Sequence, residues 1–329
     1  MVKSIVDKMK RSFGMRPSEK DANKIYLLIL VLFVFVGSYV QRKSLYVGLI
    51  ITEFGIVLLP VVLFLLFKKY DLKYVLRFNK LESKHIFLII LIMICGMFVS
   101  SFFSILTNYF LSKFGKIPIP PISAASNIGG LIKQILIVSG SAALCEEILT
   151  RGLILRSYEM RGSIKAVVIS GLMFAVLHLN VQNFLSVVFL GCLLGFLVHR
   201  TDSIYASVLG HFTNNTLVLV IQYVSYNVSK EISPKPGTLV KMNIPFVSVV
   251  VYAFIALIAG MFLYILLKKL IKTTNPYIIH STTTLSDDLR ILLQWPILIS
   301  LLIFLAMIIL ELLGISGSSY YMKVVKFIF

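Results

Sequence analysis

The sequence predicts an all-α fold: a polytopic transmembrane helix bundle of about eight or nine crossings. Three observations predict it. Of 329 residues, 58% are hydrophobic and only 14% are charged, whereas soluble domains run near ~45–50% and ~25%. Mean hydropathy is +0.93. Long apolar runs recur along the chain, close to the ~20 residues that one helical crossing needs. A soluble globular enzyme and a disordered chain are both excluded. Little sequence is left for a sizeable extramembrane domain.

Residues 1–24 are basic and polar, with no short apolar core and no small-residue cleavage pattern. They read as a cytoplasmic leader rather than a signal peptide. The N-terminal transmembrane helices (25–127) hold crossings near 25–40, 45–67 and 86–111. A Pro-broken loop, Lys116 to Ser126, closes this group. The core helices (128–226) hold crossings near 128–157, 164–179, 184–199 and 203–226, of which 164–179 and 184–199 are short. The C-terminal helices (227–329) hold crossings near 246–267 and 292–315, with Pro296 near the start of the last and Glu311 near its end.

Lys and Arg number 32 against 14 Asp and Glu, a net charge of +18. These charges lie between apolar runs, so the expected partner is an anionic lipid membrane and not nucleic acid. With the N-terminus inside, the cytoplasmic segments carry more than twice as many Lys and Arg as the opposite loops. The positive-inside rule therefore places the N-terminus in the cytoplasm. The Ile- and Lys-rich usage points to a low-GC bacterium, hence a bacterial cell membrane. Cys95, Cys145 and Cys192 all fall in apolar runs and read as small packing residues.

Ionisable groups inside a membrane are expensive, and so are functional candidates. Three clusters stand out: Glu146-Glu147-Ile-Leu-Thr-Arg151, Phe174-Ala-Val-Leu-His178, and His211-Phe-Thr-Asn214-Asn215. Glu147 and Arg151 are four apart and can pair on one helix face. Glu146 points about 100° away from them. His211 and Asn215 share a face by the same spacing, and Phe174 lies one turn before His178. Counted from the cytoplasmic loops at about 1.5 Å per residue, Glu146, His178, His211 and Asn215 fall at depths of roughly 12–21 Å. Three helices thus bring a carboxylate, two imidazoles and a carboxamide to one layer.

Those groups suit hydrolysis. A carboxylate beside a histidine can take a proton from water, and a second histidine with an asparagine can hydrogen-bond an oxyanion. No Gly-x-Ser-x-Gly is present, and Ser139 and Ser141 have no base on their helix. Two His and one Glu (Glu146, His178, His211) are the candidate ligands if zinc is used. There is no His-Glu-x-x-His, and the expectation leans to no tightly bound metal.

In their order, Glu-Glu-x-x-x-Arg, Phe-x-x-x-His and His-x-x-x-Asn resemble the motifs of the CAAX prenyl endopeptidase and bacteriocin-processing (CPBP, or Abi) intramembrane protease family. The resemblance covers about residues 130–222, including the approach from His199 to His211. It implies a peptidase acting on a peptide or membrane-protein substrate. It also implies roles: Glu146 as the water-activating base, Glu147 as the partner of Arg151, His178 as a holder of the water, and His211 with Asn215 as the oxyanion pair. A non-catalytic immunity or regulatory protein, binding a peptide in the same cavity, is the alternative. A transporter would show matched inverted repeats, and none is seen.

Other polar residues have plainer readings. His199 and Arg200 are interfacial anchors, and His85 and His280 are loop residues. Asn180, Gln182 and Asn183 form a turn, and Asn214 can assist Asn215. Gly191 and Gly195 allow close helix packing. Lys133 reaches the outer interface, and Glu53 pairs with it or lines the cavity.

Overall fold

In lipid the backbone must satisfy its own polar groups, and long apolar runs do so as helices. The computed structural model describes residues 16–119, 122–229, 238–276, 278–281 and 283–318. Among the described residues, eight helices are long and apolar enough to cross a membrane. They are α1 (Glu19–Lys43), α2 (Leu45–Phe67), α3 (Ser83–Phe114), α4 (Ile128–Arg161), α6 (Phe184–Thr201), α7 (Ile204–Ser229), α8 (Phe246–Thr273) and α10 (Trp295–Ile315). Shorter helices include α5 (Ser163–Leu177) and α9 (Leu285–Leu292), and a single turn, Leu72–Val75, lies in the loop after α2. The chain is an integral, multi-pass membrane protein.

Several expectations are corrected. Residues 1–15 of the expected leader lie outside the described residues, but α1 already begins at Glu19, N-capped by Ser18. The run 164–179, expected to be short, is a 15-residue helix, shorter than the eight. The segment before the last crossing contains α9, opened by a Thr284–Asp287 capping box. β1 (Ile117–Pro118) pairs antiparallel with β2 (Leu239–Val240), so the Pro-broken loop is tied to the segment before α8. His85 is not in a loop. It is buried near the start of α3, with Nε2 3.2 Å from Thr273 Oγ1 of α8.

The main buried cluster lies where α1, α2, α4 and α5 meet, around Ile29, Leu30, Val61, Leu65, Leu149 and Ala166. Tyr26 crosses it and donates from its hydroxyl to the Met173 carbonyl at 2.8 Å. A second cluster joins α3, α6 and α8 through Ile92, Met93, Leu194 and Leu263. Only 17% of the residues in the most apolar stretches of α8 and α10 are buried, so those two helices turn most of their surface outward to lipid.

Small residues set a close crossing of α5 and α6, as expected from Gly191 and Gly195. A Cβ on Gly191 of α6 would lie 2.9 Å from the Gly171 Cα of α5, and one on Gly171 would lie 2.8 Å from the Cys192 nitrogen. Backbone cannot yield there as a flexible side chain would. Gly191→Val is expected to lower stability by about 1–3 kcal/mol, the usual range for overpacking. A fall in the thermal unfolding midpoint in detergent checks this.

Candidate active site

The site is built on α4, α5 and α7, with α3 and α6 as apolar walls. α4 is not uniform: an α-helical stretch, Ser141–Glu147, lies between π-helical turns at Ile135–Gly140 and Ile148–Ile154. Such widened turns are frequent at functional sites. This stretch carries Glu146 and Glu147, and the following π turn carries Arg151.

Glu147 and Arg151 are both fully buried and pair as expected, Nη1 to Oε1 at 2.9 Å. Arg151 also donates to Thr150 Oγ1 at 2.6 Å and to the Gly191 carbonyl at 2.7 Å. That second bond uses the close approach at the glycine crossing. The same Glu147 oxygen accepts from His211 Nδ1 at 2.9 Å. One buried carboxylate therefore ties α4 to α7 and fixes the His211 ring. With Nδ1 committed to Glu147, His211 is left with Nε2, which lies 3.9 Å from Glu146 Oε2.

His178 is held by a different device. α5 tightens at its end, where His178 N and Leu179 N donate to the carbonyls of Ala175 and Val176, three residues back. The Phe174 carbonyl is thereby left for the His178 ring, with Nδ1 at 2.9 Å. A carbonyl only accepts, so Nδ1 carries the hydrogen and Nε2 of the neutral ring is an acceptor. Leu179 then takes a left-handed backbone, φ 49°, and the chain leaves the helix.

Phe174 is the hub of the packing. Its ring meets His178 edge-on at 4.7 Å and His211 at 5.6 Å, with the Arg151 guanidinium 4.7 Å from its centre. The sequence offered Phe174 to His178 alone. Its contacts with α4 and α7 are tertiary.

Glu146, His178, His211 and Asn215, the four predicted catalytic residues, line one cavity of about 110 Å³. Asn214 and Phe174 join them, with Met93 of α3 and Val187, Leu190 and Leu194 of α6 as the apolar wall. Asn214 Nδ2 donates to Asn215 Oδ1 at 3.1 Å. The Asn215 NH₂ is thus the end left to donate. Glu147 and Arg151 stand behind the cavity and do not line it.

Two acidic residues enter in ways the sequence left undecided. Glu53 of α2 is buried, and its Oε2 has no hydrogen-bond partner. It neither pairs with Lys133, whose amine sits 4.4 Å over the Tyr46 ring, nor lines the cavity. Glu311 of α10 accepts from Asn180 Nδ2 at 3.2 Å, Val181 N at 2.8 Å and Gln182 Nε2 at 3.2 Å. The turn after His178 is therefore clamped from α10, beyond the turn chemistry expected of Asn180 and Gln182.

Among the described residues, no three His, Cys, Asp or Glu side chains gather as a metal-holding group. Glu146, His178 and His211, the zinc candidates, share the cavity wall without forming such a set.

Residues 128–217 match the family model for Rce1-like proteins, described as type II CAAX prenyl endopeptidases. The likeness to that family lies in the core helices, a little over a quarter of the chain. The matched segment runs from the first residue of α4 to just past Asn215, so it contains all six predicted site residues. The kind of function is that of a CAAX-type intramembrane protease, and the chain is in kind a peptidase whose substrate is a peptide or membrane protein. No curated relative and no solved structure matches the chain.

Proposed function

We propose that the protein hydrolyses a peptide bond inside the bilayer, with Glu146 and His178 activating a water and His211 with Asn215 holding the oxyanion. One observation carries the reading. A carboxylate, two imidazoles and a carboxamide from three separate helices face a single cavity large enough for water. Glu146 Oε2 is buried with no hydrogen-bond partner, so it is an acceptor ready for a proton.

The steps balance. Glu146 takes one proton from the water as its oxygen attacks the carbonyl carbon, while the His178 Nε2 lone pair accepts the other hydrogen as a hydrogen bond. The carbonyl π electrons move to oxygen, and that oxyanion accepts from Asn215 Nδ2 and from His211 Nε2 in its doubly protonated form. Glu146 returns its proton to the leaving nitrogen as the C–N bond breaks. General acid–base work of this type contributes about 10²–10⁴-fold. Glu147 and Arg151 touch neither water nor substrate; they orient His211.

The proposed steps are written without a metal. The protein is further read as a bacterial membrane protein with its N-terminus in the cytoplasm, in keeping with the basic residues at that end of the bundle. Bacteriocin leaders and prenylated CAAX peptides are the candidate substrates.

The test uses the full chain in lipid nanodiscs with a farnesylated CAAX peptide, its unfarnesylated twin and a set of bacteriocin-leader peptides. Cleavage is mapped by mass spectrometry. At least one peptide is expected to be cut, and EDTA is expected to leave the rate unchanged. A rate abolished by EDTA and restored by Zn²⁺ would overturn the metal-free mechanism. Binding without cleavage of every peptide would favour the non-catalytic alternative.

A further inference from the structure

A second, much larger cavity of about 1250 Å³ opens at the end of the bundle where the loop after α2, the end of α4, the α6–α7 turn and the segment after α8 gather. It shares no lining residue with the catalytic cavity. Among the described residues, six Lys and Arg side chains line it against four Asp and Glu. That excess of two positive charges is the charge of one dianion.

The cations are concentrated. Three guanidiniums converge on the single carboxylate of Glu159: Arg77 in direct contact, Arg156 at 3.0 Å and Arg16 at 3.8 Å. Arg77 is 1% exposed and is otherwise fully engaged, with Asp202 at 3.0 Å and the Arg151 carbonyl at 3.1 Å. Burial, with repulsion from Arg156, pushes Arg77 down to about 9. Arg156 is 6% exposed, stacks 4.4 Å over the Tyr74 ring, and its Nε has no hydrogen-bond partner. A buried donor left unmade costs about 1–3 kcal/mol. Lys73 and Lys80 line the same chamber, are exposed, and form no ion pair among the described residues.

We propose that this chamber binds a phosphate-bearing dianion, with Arg156 and Arg16 at its floor and Lys73 and Lys80 at its rim. A guanidinium fork matches phosphate oxygens two at a time. The oxygens supply the acceptors that Arg156 Nε and the two amines lack. One dianion also cancels the wall's excess charge, which a single carboxylate does not. The chamber is far larger than a phosphate group, so the rest of the ligand has room. The phosphate is carried either by a soluble phosphoester or by the headgroup of an anionic lipid.

The experiment separates these sources. Full-length protein in detergent is titrated calorimetrically at pH 7.5 with glycerol 3-phosphate, a soluble phosphoester dianion. Separately, protein in nanodiscs containing phosphatidate is compared with protein in phosphatidylcholine alone, reading lipid retention by native mass spectrometry. Each lost charge-assisted contact is expected to weaken binding about tenfold or more. Lys73→Gln with Lys80→Gln is therefore expected to weaken it strongly, and Arg156→Gln at least as much. Lys268→Gln with Lys269→Gln, equal in charge, exposed and outside the chamber, is expected to change nothing. Glycerol 3-phosphate binding with this pattern assigns a soluble phosphoester. Phosphatidate retention alone with this pattern assigns a lipid headgroup. Failure of both probes, or equal losses in the rim and control pairs, overturns the site. The rim pair keeps the test decisive if Arg156→Gln does not fold.

Discussion

Glu146→Gln is expected to lower peptide cleavage by about 10²–10⁴-fold while leaving the unfolding midpoint where it is. The substitution keeps shape and volume and removes only the ability to take a proton. At about 1.4 kcal/mol per factor of ten, the loss corresponds to roughly 3–5 kcal/mol in the barrier. Stability is expected to hold because the Glu146 carboxylate is lightly engaged: its side chain is 13% exposed, its Oε2 has no hydrogen-bond partner, and its nearest cationic candidate, His211 Nε2, is 3.9 Å away. The neighbouring Glu147 is the opposite case, fully buried and bonded twice. Turnover and thermal unfolding measured on the same purified variant decide the matter. Unchanged turnover would remove Glu146 from the reaction.

Much of this site is legible in the sequence because helical spacing and membrane depth are local quantities. Counting four residues pairs Glu147 with Arg151, and the pair forms even though a π turn follows Glu147. Counting residues from each loop puts Glu146, His178, His211 and Asn215 in one layer, and they do line one cavity. Spacing is silent on contacts between elements distant in the chain. His211 is 64 residues from the carboxylate that orients it. Glu311 is about 130 residues from the turn it clamps, and a lone acid late in a crossing gives no hint of its partner. Glu53 lies beside Glu146 only because α2 packs on α4. The fold follows the same division. Hydropathy finds the long helices, whereas the start of α1 at Glu19 depends on the Ser18 cap inside a segment that reads as polar leader.

Arg151→Met is expected to be the most destabilising single change in the site, by about 3–5 kcal/mol. The guanidinium is fully buried, and it bonds Glu147, Thr150 and the Gly191 carbonyl while lying 4.7 Å from the Phe174 ring centre. Methionine fills much of the volume and supplies none of the donors. It leaves the Glu147 carboxylate without its cation, in a region where charge is poorly solvated. Arg151→Lys is expected to rescue little, because one amine cannot reproduce a planar fork reaching Glu147 and Gly191 at once. The charge itself can be separated from the geometry by adding Glu147→Gln to Arg151→Met. The double variant no longer buries a lone carboxylate, so it is expected to regain part of the lost stability. It is not expected to regain cleavage, because the amide of residue 147 no longer offers His211 a carboxylate. A double-mutant cycle measured by unfolding in mixed detergent micelles gives the coupling. If the two single losses simply add, the pair is not acting as one unit, and the orientation of His211 must come from Phe174 instead.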